Sequence, residues 1–162
     1  MTDRAKACGV TVVLALLIGG IDQWLKGLVV AALLPDRSRV ILAGILDLTY
    51  RQNTGAAFSL WPQIHQPLLI ALNLLVLGIF LVLIWPQLPT RLGTTAAWLV
   101  LGGGLGNIID RIRLHYVVDY LNFHVWPVFN LADACLVIGV GILLWMLARP
   151  VAPATTPGGD TP

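Results

Sequence analysis

Four long apolar runs separated by polar punctuation set the plan of this chain. A helix needs roughly 20 mainly apolar residues to cross a hydrocarbon layer of ~30 Å. Residues 7–34, 67–85, 92–109 and 130–147 come close to or exceed that length, which predicts an all-α membrane protein with four transmembrane helices. The stretch between the first two, about residues 35–66, is too mixed to cross. Within it Leu46, Leu48 and Tyr50 alternate with Asp47, Thr49 and Arg51, the period of two expected of a half-exposed strand. A small β-cradle on the membrane surface, between helices 1 and 2, is predicted there. The run Asn53-Thr54-Gly55-Ala56-Ala57-Phe58-Ser59 follows it with turn chemistry and one apolar anchor, Phe58. On this reading residues 1–149 are one domain. Residues 150–162 hold almost no large apolar side chain and are expected to be disordered, because they cannot bury enough surface to offset their ordering entropy.

The first run has features of a cleavable signal, with Arg4 and Lys6 before it and the small pair Ala31-Ala32 near its end. Asp22 and Lys26 interrupt it, however, and its apolar length exceeds a usual signal core. A retained helix is expected.

Composition narrows the function classes. Hydrophobic residues make up 57% of the 162 and charged residues 11%, against about 25% charged in a soluble domain. The net charge is only +2 and the ten basic residues form no stripe, so nucleic acid is not an expected partner. Cys8 and Cys135 fall in apolar runs without metal-type spacing and define no disulfide framework. His65, His115 and His124 make no His-Glu-x-x-His pattern, and the chain has no Glu at all. Neither a metal nor another cofactor is expected.

Against that background the polar residues stand out. A carboxylate at hydrocarbon depth costs ~2.5–3.5 kcal/mol on insertion scales, so it normally faces a polar interior and marks a site. If the four spans alternate in direction, Asp22, Lys26, Asn53, Asn107, Asp110, Arg111, Asp119, Asn130 and Asp133 all gather at one end of the bundle. The arginines do not say which side that is. Arg4, Lys6, Arg91 and Arg149 fall at the other end, and Arg37, Arg39, Arg51, Arg111 and Arg113 at the site end.

Asp22 and Lys26 are spaced i,i+4 and can neutralise one another as a structural ion pair; a lysine general base is the alternative. Gly102, Gly103, Gly104 and Gly106 permit close helix approach. Asn107, Asp110 and Arg111 then form one polar face, in which the adjacent Asp110 and Arg111 are expected to find different partners, and the planar guanidinium suits a substrate carbonyl. Asp119 and Asp133 lie fourteen positions apart. They are either two separate carboxylates at helix ends or a pair brought together by the short connection 122–128. Two carboxylates in contact share one proton over a wide pH range. One then takes a proton from water while the other donates to a carbonyl oxygen, which is aspartic-protease logic.

Two rival readings have requirements of their own. A Ser-Lys peptidase would use Ser59 and Lys26, although no Gly-x-Ser-x-Gly elbow surrounds Ser59. A small transporter or proton-path protein would place polar groups at both ends of the bundle rather than one.

The ordered set Asp22-Gln23-Trp24-Leu25-Lys26, Asn53 to Ser59, Gly106-Asn107-Ile108-Ile109-Asp110-Arg111, Val117-Val118-Asp119-Tyr120 and Phe129-Asn130-Leu131-Ala132-Asp133 closely resembles the lipoprotein signal peptidases, or signal peptidase II, of bacteria. The resemblance covers about residues 8–148. It implies an aspartic endopeptidase of the inner membrane with both termini cytoplasmic and a periplasmic cradle, expected as a monomer. Such enzymes cut prolipoproteins before a cysteine that already carries diacylglycerol, within membrane lipid. By the same resemblance Asp119 and Asp133 match the catalytic acids, Asn53, Gly103, Asn107, Arg111 and Asn130 match site positions, and Asp22 with Lys26 match the pair on the first helix. Two features depart from the family's pattern: the connection between the acids is short, and Asp47 stands where a neutral polar residue is more typical.

Overall fold

Helix α1 begins at Thr2, whose hydroxyl accepts a hydrogen bond from the Ala5 N–H at 3.3 Å, and runs Asp3–Ala32. The computed structural model describes residues 2–55 and 66–149. After α1 come strands β1 (Ser38–Leu42) and β2 (Leu46–Asn53), helix α2 (Gln66–Ile84) and a single 3-10 turn at Trp85–Gln87. Helix α3 (Arg91–Leu114), strand β3 (Val117–Asn122) and helix α4 (Leu131–Ala148) complete the order. Residues 56–59 of the expected turn and the tail at 150–162 lie outside the described residues.

The four apolar runs are therefore four helices long and apolar enough to cross a membrane. Their outward side chains suit lipid, as Val13, Leu16, Val82 and Val137 are all more than 60% exposed. Helix α3 is the hub of the bundle and touches the other three. Its glycines make that possible by facing different neighbours. A Cβ at Gly102 would stand 2.8 Å from Ile18 of α1, and one at Gly104 2.7 Å from Leu77 of α2. One at Gly103 would collide with the Ala132 carbonyl of α4, and one at Gly106 would press on the Asp22 carboxylate. Removing the side chain at these positions lets each helix backbone close in. Leu77, Phe80 and Ile84 of α2, Ala96, Ala97 and Val100 of α3 and Leu143 of α4 fill the resulting core.

The cradle is a three-stranded antiparallel sheet in the order β1-β2-β3. Its first two strands stand between α1 and α2, where alternation placed a strand. Its third comes from the segment between α3 and α4. Val29 of α1, Tyr50 of β2 and Val118 and Tyr120 of β3 form a second buried cluster that fastens the sheet to the bundle.

Helix α3 also runs five residues beyond the apolar stretch that ends at residue 109. Its polar last turn is tolerated because the side chains find partners. Asp110 bonds Lys26, Gln23 and the Val118 N–H, and the helix stops at His115, which takes the left-handed conformation at φ 65°.

Candidate active site

Asp119 reaches the site on β3. Arg51 lies opposite it in the register and Asn53 opposite Val117, so Asn53 and Asp119 are diagonal neighbours on one face of the sheet. The Asn53 amide donates to Asp119 Oδ2 at 2.9 Å, while its own oxygen accepts the Gly55 N–H at 3.1 Å.

Asp133 arrives in the first turn of α4 as half of a capping box. The Asn130 side chain accepts the Asp133 N–H at 2.9 Å, and Asp133 Oδ2 accepts the Asn130 N–H at 3.2 Å. The other oxygen, Oδ1, accepts from the Asn107 amide at 2.7 Å. Both carboxylate oxygens are thus held by N–H donors at a helix N-terminus, where negative charge is favoured.

One asparagine joins the two acids. The Asn130 Nδ2 donates to Asp119 Oδ1 at 2.8 Å and also reaches Asn107 Oδ1 at 3.2 Å. Asn130 is completely buried, so these bonds are unscreened and fix its amide. Asp119 is buried too, and burial, followed by the nearby Asp133 charge, pushes its carboxyl up from the usual 3.8 to about 7. Hydrogen bonds from Asn53 and Asn130 oppose that shift without cancelling it.

Behind the acids lies an ion cluster. Lys26 Nζ stands 2.7 Å from Asp22 Oδ2 and 2.9 Å from Asp110 Oδ2 and donates to Asn107 Oδ1 at 3.1 Å. It therefore serves as the cation of two buried carboxylates. Asp22 Oδ1 also accepts the Ala132 N–H at 3.1 Å, next to Asp133 in α4. Gly103 sits against the Ala132 carbonyl from the other side. The first turn of α4 is thereby clamped between α1 and α3.

Asn53, Asn107, Arg111, Asp119 and Asp133 form the polar part of one cavity of about 610 Å³. Its remaining wall is apolar: Val117 of β3, Trp126, Val128 and Phe129 of the β3–α4 connection, and Ala134, Leu136, Val137 and Ile138 of α4. The Arg111 guanidinium touches the Asn107 carbonyl through Nη1 at 3.4 Å, and its Nε finds no hydrogen-bond partner among the described residues. Asp110, its neighbour, points away toward Lys26 and Gln23, so the two do serve different partners. No group of three or more His, Cys, Asp or Glu among the described residues has metal-binding geometry.

Residues 14–149 match the family model described as Signal peptidase (SPase) II. The chain belongs to the signal peptidase II family. It is therefore an aspartic peptidase, and its four long apolar helices make it a multi-pass membrane protein. The lipoprotein signal peptidase of Halothermothrix orenii is 40% identical over 135 residues, 83% of this chain and 92% of that one. Those of Moorella thermoacetica and Brucella ovis are 43% and 40% identical over 138 residues, covering 85% and 82% of this chain and 91% and 84% of theirs. A bacterial membrane enzyme solved in meso at 2.3 Å shares the fold with a TM-score of 0.70 at 24% identity, over 89% of this chain and 95% of that one.

Several residues of the site were not legible as such in the sequence. Gln23 donates to Asp110 Oδ1 at 2.7 Å and to the Gly106 carbonyl at 3.0 Å. It stood in the matching run 22–26 without a role of its own. Phe129 stood in the matching run 129–133 without a role of its own, and Trp126 and Val128 were given none, since apolar residues in an apolar chain do not announce a cavity wall.

Proposed function

We propose that Asp119 and Asp133 are the catalytic pair with which this signal peptidase II cleaves prolipoproteins, cutting before a cysteine that carries diacylglycerol. The observation that carries the reading is the meeting of both carboxylates in one half-apolar cavity, bridged by Asn130. In this mechanism Asp133 takes a proton from water, and the resulting hydroxide attacks the scissile carbonyl carbon. Asp119, protonated up to about pH 7, donates its proton to the carbonyl oxygen, giving a neutral gem-diol. Collapse of the gem-diol breaks the C–N bond, the leaving nitrogen takes the proton held on Asp133, and Asp119 recovers its own from the diol. Asn53, Asn107 and Asn130 hold the acids in place. Arg111, which lines the cavity, binds a backbone carbonyl of the substrate through its guanidinium. Gly103, Asp22 and Lys26 support the site by fixing the start of α4.

The cavity's apolar wall includes Val137 and Ile138, which are 72% and 55% exposed on the outer side of α4. A wall shared with the lipid-facing surface supports lateral entry of an acylated, membrane-anchored substrate. The site then faces the periplasm, where exported lipoproteins emerge, with both termini cytoplasmic in the bacterial inner membrane.

The substrate claim is tested with purified protein in detergent, offered a prolipoprotein with and without the diacylglyceryl group. Cleavage of the modified form alone, directly before the cysteine, is expected. Equal cleavage of both forms, or cleavage of neither, would contradict it.

A further inference from the structure

The connection 123–130 between β3 and α4 supplies part of the cavity wall through Trp126 and Val128, yet burial does not hold its tip. Val125 is 90% exposed and Trp126 58%. Polar ties and a ring contact help to set its shape. At the stem, the Leu121 N–H donates to the Phe129 carbonyl at 2.7 Å and the Phe129 N–H returns to Leu121 at 3.1 Å. The rings of Phe123 and Phe129 stack 5.8 Å apart. At the tip, His124 takes a left-handed conformation at φ 61°, which is uncommon for a residue with a Cβ. Two contacts hold it. Its N–H donates to Asn122 Oδ1 at 3.0 Å, and its Nε2 lies 3.2 Å from Asp47 Oδ2.

Asp47 lies at the start of β2, opposite Asn122 in the register, so the pair bridges the β1–β2 hairpin to the loop. The carboxylate is 14% exposed and the imidazole 44%, so the acid is the more buried partner. Trp126 is two residues further on.

We propose that Asp47 and His124 are a positioning pair that pins the tip of this loop, holds Trp126 at the rim of the cavity and so sets how tightly the apolar part of the substrate is bound. The pair touches none of the reacting groups, so it acts on binding and not on proton transfer. The proposal rests on the reading of this cavity as the peptidase site.

Steady-state cleavage of a diacylglyceryl-modified peptide by the full chain in detergent tests it. Asp47→Ala and His124→Ala should each raise KM about two- to fivefold, the range of a partly exposed polar pair, with kcat at the parent value. The double variant should be no worse than either single one. His124→Gln, whose amide can still donate to Asp47, should keep KM near the parent's. Should Asp47→Ala fail to fold, Asp47→Leu keeps a similar size without any atom that can accept from His124 and carries the same expectation. An unchanged KM in both single variants, effects that multiply in the double variant, or a fall in kcat at fixed KM would each overturn the pair. A parent protein that does not cleave the modified peptide would overturn the underlying reading and the pair with it, an outcome visible before any variant is made.

Discussion

Asn130 does three jobs: its side chain caps α4 through the Asp133 N–H and donates to Asp119, while its backbone N–H holds the Asp133 carboxylate. That economy explains why two acids from different elements meet with defined geometry. The carboxylates were legible from the sequence because a charge in an apolar setting is costly and seldom idle. Asn130 and Asp133 were legible as partners from their i,i+3 spacing. The bond from Asn130 to Asp119 was not, because it crosses between elements whose relative placement no spacing encodes. The acid–base roles carry a pH signature. Asp119 holds its proton up to about 7 instead of 3.8. If it is the proton donor, kcat/KM falls as pH rises through about 7. Between those two values the folded state also binds more protons than the unfolded chain, so this group's contribution makes stability fall as pH rises. Asp119→Asn should remove that part of the slope in detergent melts. A flat kcat/KM up to pH 9, or an identical pH slope in the variant, would argue against the assignment.

At the scale of elements, patterning revealed some segments and concealed others. Four helices and strand β2 could be read from apolar length and from alternation. Strand β3 could not, because Val117, Val118, Asp119 and Tyr120 are all buried and a strand covered on both faces shows no period of two. The end of α3 was hidden for a related reason. Asn107, Asp110 and Arg111 read as the close of a span, whereas Lys26, Gln23 and Asp133 receive two of them within the fold. Close packing of α3 also yields a prediction. A methyl at Gly103 meets the Ala132 carbonyl, one residue before Asp133. Gly103→Ala is expected to cost about 1–3 kcal/mol of stability and to lower kcat by displacing that turn. Gly9→Ala, where nothing lies within 4 Å, is the control and should do neither. Equal melting temperatures and activities for the two variants would refute this account of the glycine run.

For the whole molecule, the fold places nearly all the polar chemistry at one end of an apolar bundle. Arg4, Lys6, Arg91 and Arg149 remain at the other. Orientation was beyond charge counting because basic residues occupy both ends in similar number. In a background lacking Cys8 and Cys135, Ser38→Cys on β1 is expected to react with an impermeant thiol reagent from the periplasmic side, and Lys6→Cys in α1 is not. The reverse pattern would invert the topology and remove access to exported substrate. The most direct test concerns the acids themselves. Asp119→Asn and Asp133→Asn, purified and folded, should each lose about 10²–10⁴-fold or more of the parent's cleavage of a diacylglyceryl-modified prolipoprotein, the range of a lost acid or base. Turnover near the parent's rate by either folded variant would show that the pair is not the catalytic machinery.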